Sequence, residues 1–229
     1  MRYVPARFKQ VARSVIGSWA FVRRSYSQEG EDLILLRHFE HRKKGFFVDV
    51  GAHHPFRFSN TYVFYRLGWH GINIDPMPGC MALFKRHRAR DINLELGVGR
   101  DSGSIPFFIF NEPALNTCDE RLARQRDGRG QSRLVLETRV PCLPLSQVLQ
   151  EHLPAGLEHF QFLSIDVEGM DGTVLESNNW DQYRPEVVVI ELAGCDLEAA
   201  MTSEQSKFLR RVGYLPFAKT NNSFFFRCI

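Results

Sequence analysis

Short apolar segments alternate with helix-like segments from Gly45 onward, and this alternation is the feature that most limits the fold. The strand-like segments cover residues 46–50, 71–75, 91–96, 160–166 and 186–191. The helix-like segments lie near residues 59–67, 78–88, 144–152, 170–178 and 203–212. Such alternation predicts an α/β fold, in which a mostly parallel sheet carries helices on both faces. Two strand-like runs then flank the turn pair Asn221-Asn222, so the chain should end in an antiparallel hairpin.

The length and composition of the chain favour one domain behind an N-terminal extension. A chain of 229 residues, 44% of them hydrophobic, can bury one substantial core. A formal net charge of +3 is far below the clustered excess typical of nucleic-acid-binding proteins, so no nucleic-acid partner is expected. The five cysteines are scattered and none are spaced as a CxxC pair, which favours a reducing, cytoplasmic location over a disulfide framework.

The N-terminal segment, residues 1–26, has the pattern of a basic amphipathic helix. Apolar residues recur at spacings of three and four from Val4 to Val22, and no acidic residue precedes Glu29. Its positive charges are Arg2, Arg7, Lys9, Arg13, Arg23 and Arg24. One expectation is that this helix docks on the domain. The other is that residues 1–24 bind the inner membrane face as a peripheral segment, since no apolar run is long enough to cross a bilayer.

Residues 104–141 form a longer excursion between the third and fourth predicted strands. We expect an insertion over the carboxyl edge of the sheet, where folds of this kind bind ligands. The excursion is rich in arginine, at Arg121, Arg124, Arg126, Arg129 and Arg133. These arginines suit either a solvated loop or a lid that recognises an anionic acceptor.

The turn after the first strand predicts an adenosine-like ligand. Asp49 and Gly51 end that strand, and Asp75 ends the next one 24 residues after the glycine, as in folds where a carboxylate binds the hydroxyls of a ribose. A dinucleotide-binding loop would add glycines where this chain has His53, His54 and Pro55. Bulky side chains there suit an adenosyl ligand without phosphates, for which S-adenosylmethionine is the obvious candidate. Alternatively, both aspartates cap turns.

Acidic residues also crowd the end of the fourth strand, in the segment FLSIDVEGMDGTVLES. Alternation along the strand places Asp166 and Glu168 on one face, where they could perturb each other's pKa or share a cation. Asp171 follows them, and Glu191 at the end of the fifth strand is a weaker candidate of the same kind. The alternative is that these acids cap the helix that follows.

Five motifs in order carry a resemblance to a known family: SQEGEDLIL (27–35), FFVDVGAHHPFRFSNT (46–61), GWHGINIDPMPG (68–79), FLSIDVEGMDGTVLES (162–177) and RPEVVVIEL (184–192). From about Ser27 to the C-terminus the chain resembles the FkbM-type S-adenosylmethionine-dependent methyltransferases. The resemblance implies a Rossmann-like class I methyltransferase fold in residues 27–229, with a seven-stranded sheet whose last strand is antiparallel. It also implies methylation of a hydroxyl oxygen.

The same resemblance implies roles for individual residues. Asp49 and Gly51 would lie in the cofactor loop, Asp75 at the ribose, and Asp166 with Glu168 beside the transferred methyl. Further residues expected to line the cofactor pocket are Ser27, Gln28, Ser59, Asn60 and Thr61. The usual family loop has an Asn and a later Gly where this chain has its two histidines, so either histidine could face the acceptor.

The base that removes the hydroxyl proton is expected to be Asp166 or Glu168, then His54, then His53. A divalent metal held by Asp166 and Glu168 could instead lower the pKa of the alcohol, but two oxygen ligands do not predict a metal site.

The expected function is O-methylation of a sugar or glycan hydroxyl, in a surface polysaccharide or a lipid-linked glycan. A polyketide or another small molecule with a hydroxyl is the alternative acceptor. A nicotinamide-dependent oxidoreductase is disfavoured by the absent glycines. A non-catalytic scaffold that keeps the cofactor pocket is the remaining alternative.

Overall fold

A computed structural model describes residues 23–229. The strands of this part of the chain are β1 (Phe46–Val50), β2 (His70–Ile74), β3 (Ile92–Leu94), β4 (Gly97–Val98), β5 (Gly103–Phe110), β6 (Leu134–Leu143), β7 (Phe162–Ile165), β8 (Val187–Glu191), β9 (Tyr214–Lys219) and β10 (Ser223–Cys228). Its α-helices are α1 (Glu31–His38), α2 (Tyr62–Arg66), α3 (Met81–His87), α4 (Glu120–Arg126), α5 (Leu145–His152), α6 (Asp171–Glu176), α7 (Leu197–Thr202) and α8 (Glu204–Arg211).

The main sheet has seven strands in the order β3-β2-β1-β7-β8-β10-β9. Strands β3, β2, β1, β7 and β8 are parallel to their neighbours in this series, whereas β10 is antiparallel to both β8 and β9. The expected α/β architecture is therefore confirmed, together with the C-terminal antiparallel hairpin around Asn221-Asn222. This strand order is that of the Rossmann-like class I methyltransferase fold.

Strand β1 is central and every one of its residues is buried. Phe46, Val48 and Val50 pack into the core on one face of the sheet. Phe47 points to the other face and joins an aromatic cluster with Phe39, Phe64, Trp69 and Phe162. Because side chains alternate along a strand, Asp49 shares the face of Phe47 and is buried there.

Two predicted helices start later than their sequence patterns suggested. The pattern over residues 59–67 becomes a helix only at Tyr62, because the Ser59 hydroxyl accepts hydrogen bonds from the backbone N–H groups of Thr61 and Tyr62 at 3.4 and 3.1 Å. The pattern over residues 78–88 starts at Met81, after Gly79 adopts a left-handed conformation with φ of 82°.

The excursion folds into a small structured unit. Strands β5 and β6 pair in antiparallel fashion, and β4 adds to β6 to complete a three-stranded sheet. The segment between β5 and β6 holds a 3₁₀ turn at Pro113–Leu115 and helix α4. Arg121, Arg124 and Arg126 therefore lie on a helix, whereas Arg129 and Arg133 lie in the connection between this helix and β6.

Most of the predicted N-terminal helix lies outside the described residues. Arg23–Tyr26, its last four residues, are not helical. The Tyr26 N–H instead donates to Asp32 Oδ2 at 2.7 Å, and its carbonyl accepts from the Ser59 N–H at 3.0 Å. No helix in residues 23–229 is both long and apolar enough to cross a membrane. All five cysteines are free.

Candidate active site

A cavity of about 660 Å³ opens at the carboxyl ends of β1, β2, β7 and β8. Residues at the ends of these strands, or directly after them, form its floor, including Gly51, Asp75, Asp166 and Glu191. The excursion supplies another part of its wall, through residues 112–118. The cavity has the size of a small-molecule site and the position at which open α/β sheets bind ligands.

Gly51 allows the turn after β1 to contact the turn after β7. Its φ is 84°, and the N–H groups of Gly51 and Ala52 donate to the Ile74 carbonyl at 2.9 and 3.0 Å. A Cβ atom at this position would lie 1.7 Å from the Asp166 carbonyl oxygen. Only glycine allows the turn after β1 to lie this close to the Asp166 carbonyl. Gly51 therefore determines the shape of the cavity floor.

Asp75 organises the loop that follows Gly51. Its Oδ2 accepts a hydrogen bond from the His53 N–H at 2.8 Å, and its Oδ1 accepts from the Met77 N–H at 2.9 Å. The side chain is buried, and burial raises the pKa of the carboxyl group. Each carboxylate oxygen has a second lone pair, and Asp75 belongs to the cavity wall, so it can also accept hydrogen bonds from a ligand's hydroxyl groups.

Asp166, Glu168 and Glu191 converge at the edge of the sheet. One carboxylate oxygen of each lies within 4.8 Å of the others. Burial, followed by the charge of Glu191, raises the pKa of Asp166 well above its usual range. Burial and the charge of Glu168 raise the pKa of Glu191 to about 7, while a hydrogen bond with Asp166 opposes the rise. Asp166 and Glu191 therefore form a pair that can hold a proton at neutral pH.

Glu168 is held from the opposite side by the excursion. Its carboxylate forms an ion pair with the Arg126 guanidinium, which also donates to the Leu115 carbonyl at 2.9 Å. The buried Thr117 hydroxyl donates to the Glu168 carbonyl at 2.7 Å. The φ of Glu168 is 53°, a left-handed conformation that costs free energy in a residue other than glycine and that these contacts stabilise.

The two histidines line the cavity with different surroundings. His54 Nδ1 accepts hydrogen bonds from the N–H groups of Phe56 and Arg57 at 3.3 and 3.1 Å, so this ring organises its own loop. His53 has a φ of 53°, and its Nε2 is a buried polar atom that pairs with no group in residues 23–229. Burial lowers the pKa of both rings, which keeps them neutral at pH 7.

Of the residues predicted to bind the cofactor, Gln28, Gly51 and Asp75 line the cavity. The other five predicted residues, Ser27, Asp49, Ser59, Asn60 and Thr61, lie behind its wall. The Ser27 hydroxyl donates to Asp32 at 3.0 Å, and the Asn60 amide donates to the Ser164 hydroxyl at 3.1 Å. These contacts give both residues a packing role.

Asp49 belongs to a buried polar network around Arg88. The Thr61 hydroxyl donates to Asp49 at 2.8 Å, and Arg88 donates to the same hydroxyl and to Asp91, each at 2.8 Å. The Ser59 hydroxyl lies beside them, 3.3 Å from that of Thr61. Burial raises the pKa of Asp49 to about 6, and the nearby Arg88 opposes this rise. The network stabilises the sheet beneath the cavity.

Several cavity residues have no clear signal in the sequence. Glu112, Asn116 and Thr117 reach the cavity only because β5 and β6 fold the excursion back over the sheet. Arg126, which pairs with the cavity residue Glu168, is one of five arginines that the sequence does not distinguish. Arg124 on the same helix pairs with the exposed Glu137 instead. Glu191 could be found from its position at the end of a predicted strand.

The three convergent carboxylates could in principle hold a cation or a proton. Arg126 already supplies positive charge to Glu168. The raised pKa values of Asp166 and Glu191 favour a proton on this pair. The cluster therefore has a chemical composition that suits proton transfer.

Three solved methyltransferases resemble the chain only weakly. A TehB-like SAM-dependent methyltransferase from Corynebacterium glutamicum is 11% identical with a TM-score of 0.43, over 99% of this chain and 100% of that one. The 1,6-didemethyltoxoflavin-N1-methyltransferase of Burkholderia thailandensis, solved with S-adenosylhomocysteine, is 13% identical with a TM-score of 0.43, over 99% and 90% of the two chains. An O-methyltransferase from Bacillus cereus is 10% identical with a TM-score of 0.41, over 99% and 91%.

A search of curated proteins found no match. The family model of the methyltransferase FkbM domain matches residues 49–216, which is most of the chain. The match begins at Asp49 in β1 and extends into β9, so it contains the turn of Gly51, the excursion and all three convergent carboxylates. The chain therefore belongs to the FkbM family of methyltransferases.

Proposed function

We propose that this protein is an S-adenosylmethionine-dependent O-methyltransferase that transfers a methyl group to a hydroxyl of a sugar or glycan. The observation that carries the proposal is the Asp166–Glu191 pair, whose raised pKa values suit proton transfer at neutral pH from a position in the cavity wall. An alcohol must lose its proton as it is methylated, and this pair can accept it.

The residues of the cavity fit the cofactor. Asp75 would accept hydrogen bonds from the ribose hydroxyls through Oδ2, which accepts one hydrogen bond within residues 23–229, and in place of the weak Cys80 thiol contact at Oδ1. The tight turn at Gly51 would hold the cofactor against the end of β1. The unpaired His53 Nε2 is a further polar group that a bound ligand could satisfy. When bound, S-adenosylmethionine supplies an electrophilic methyl group on a sulfonium.

The chain's own residues would align the acceptor and move its proton. Asp166 accepts the proton of the acceptor hydroxyl as that oxygen bonds to the methyl group, and this proton neutralises the negative charge that Asp166 shares with Glu191. Glu168, fixed by Arg126 and Thr117, places a carboxylate oxygen within 4.8 Å of the pair and so favours the protonated product of this step. Orienting the two reactants can contribute about 7 to 11 kcal/mol to such a transfer.

The charge of the cavity favours a neutral or cationic acceptor. Within residues 23–229, two of the five carboxylates in its wall pair with arginines, Glu168 with Arg126 and Glu112 with Arg57, and two more, Asp166 and Glu191, can share a proton. The carboxylates are Asp75, Glu112, Asp166, Glu168 and Glu191. The negative charge that remains, on Asp75 and on the Asp166–Glu191 pair, favours a neutral acceptor over an anionic one close to the transferred methyl.

An apolar small-molecule hydroxyl is the second candidate acceptor. Phe58, Leu83 and Phe107 give one part of the wall an apolar surface that a polyketide-type ligand would fill. Methyl-transfer assays with neutral glycosides and with apolar alcohols would separate the two.

Isothermal titration with S-adenosylmethionine and with S-adenosylhomocysteine tests the proposal. We expect saturable binding of both, and we expect Asp166→Asn to retain binding of S-adenosylhomocysteine while it loses methyl transfer. Absence of binding to the folded protein would overturn the cofactor assignment. Full transfer by Asp166→Asn would overturn the assignment of the base.

A further inference from the structure

The mouth of the cavity carries exposed apolar side chains. Phe56, Phe58 and Leu83 are 39%, 40% and 37% exposed. Phe58 and Leu83 belong to the cavity wall, and the Phe56 ring lies 5.5 Å from that of His87, which joins this loop to α3. The φ of Phe58 is 55°, a strained conformation for a bulky residue. We call this surface, formed by Phe56, Arg57, Phe58, Leu83 and His87, the rim.

Positively charged side chains lie in the rim and on helix α3. The Arg57 guanidinium lies 4.5 Å above the Phe58 ring and pairs with Glu112 at 3.5 Å. Lys85 and Arg86 are exposed in the last turn of α3, and neither forms an ion pair within the described part of the chain. An apolar surface near exposed cations that have no ion-pair partner within residues 23–229 is complementary to the surface of an anionic bilayer.

The N-terminal segment joins the fold beside this surface. The Tyr26 ring packs against that of Tyr62 at 4.8 Å, and Tyr62 lies 5.8 Å from Phe56. The residues that precede this point are basic and lack acidic side chains as far as Glu29. Tyr26, at the end of the basic segment, is thus linked to the rim through the Tyr62 ring.

We propose that the rim docks on the surface of an anionic lipid bilayer, so that the cavity opens toward an acceptor held at the membrane. This inference rests on the proposed function, which it deepens by assigning the acceptor to the membrane surface. The apolar side chains enter the interface between headgroups and acyl chains, and the cations of α3 contact the anionic headgroups. A lipid-linked acceptor then reaches the cavity without leaving the bilayer.

Vesicle co-sedimentation of the full chain tests the proposal. The vesicles are phosphatidylcholine alone and phosphatidylcholine mixed with phosphatidylglycerol, each at low and at high salt. We expect binding to the mixed vesicles at low salt and weak binding in the other three conditions. Removing two headgroup-contacting cations with Lys85→Gln/Arg86→Gln should weaken this binding about 30-fold. Phe56→Ser should weaken binding at either salt concentration.

Two matched variants control for charge and for lost apolar surface. Arg210→Gln/Arg211→Gln removes the same charge from the last turn of α8, and Leu136→Ser removes an exposed leucine from β6. Both should bind vesicles as the parent does. Failure of the parent to bind mixed vesicles would overturn the proposal, as would equal binding by the rim variants.

Titration with S-adenosylhomocysteine in the same preparations keeps the two proposals distinguishable. Phe56, Lys85 and Arg86 lie outside the cavity wall, so their variants should bind this ligand with the affinity of the parent. Vesicle binding without ligand binding would contradict only the proposed function. Ligand binding without vesicle binding would contradict only the docking of the rim.

Discussion

Neutralising Glu168 or Arg126 should move the pH profile of methyl transfer in opposite directions. The charge of Glu168 raises the pKa of Glu191, whereas the charge of Arg126 lowers it. The base must be deprotonated to act, so the acidic limb of kcat/KM follows the pKa of the Asp166–Glu191 pair. We expect the limb to move to lower pH in Glu168→Gln and to higher pH in Arg126→Gln.

The size of the first shift follows from the geometry of the cluster. The carboxylate oxygens lie within 4.8 Å of one another. At this separation two unit charges interact with about 0.9 kcal/mol at the dielectric constant of bulk water and about 3.5 kcal/mol at an effective value of about 20. The corresponding displacement of the limb in Glu168→Gln is about 0.6 to about 2.5 pH units.

The assay is kcat/KM for methyl transfer across the pH range in which the protein stays folded. Arg124→Gln is the matched control, because Arg124 lies on the same helix as Arg126 but pairs with the exposed Glu137. Its acidic limb should coincide with that of the parent. Shifts of the same sign in Glu168→Gln and Arg126→Gln, or no shift in either, would refute the assignment of the Asp166–Glu191 pair as the base.

Three further predictions concern cofactor binding, the floor of the cavity and metal dependence. Asp75→Ala should weaken binding of S-adenosylhomocysteine by about 10-fold to 100-fold in isothermal titration, and unchanged affinity would contradict the ribose assignment. Gly51→Ala should lower the free energy of unfolding, measured with denaturant, by more than about 3 kcal/mol, since its Cβ would meet the Asp166 carbonyl. The control is Gly79→Ala, at a position that also has a positive φ but has open space around it. It should lower the free energy of unfolding by about 1 kcal/mol. Methyl transfer should persist after dialysis against EDTA, and a loss that Mg²⁺ restores would reassign the three carboxylates to a cation.

The sheet could be predicted from the sequence because its central strands are buried on both faces. Strand β1 has the predicted bounds, 46–50, since all five of its residues are apolar or buried and Gly51 ends it. The helix starts were less predictable, because hydroxyl groups such as that of Ser59 compete locally for backbone N–H groups. The position of the cavity floor followed from the predicted strands, because Asp75, Asp166 and Glu191 lie at their carboxyl ends.

The wall of the cavity depends on contacts that one-dimensional patterns do not contain. Asp49 stands one residue before the end of β1, yet the alternation of the strand turns it toward Thr61 and the Arg88 network. Arg126 contacts Glu168 across 42 positions of sequence, and only the pairing of β5 with β6 determines that encounter. Periodicity fixes which face a side chain occupies, but it does not identify what lies opposite.

The two sides of the cavity come from different stretches of chain, and this separation bears on how such an enzyme diversifies. The floor belongs to the parallel strands, whose residues are buried and constrain one another, so most changes there would destabilise the fold. The opposite wall belongs to a hairpin and its connecting helix, which touch the floor through a few side chains such as Thr117 and Arg126. Exchange of residues 111–133 between relatives, with those two contacts kept, is thus a route by which acceptor preference can evolve while the cofactor half is inherited unchanged.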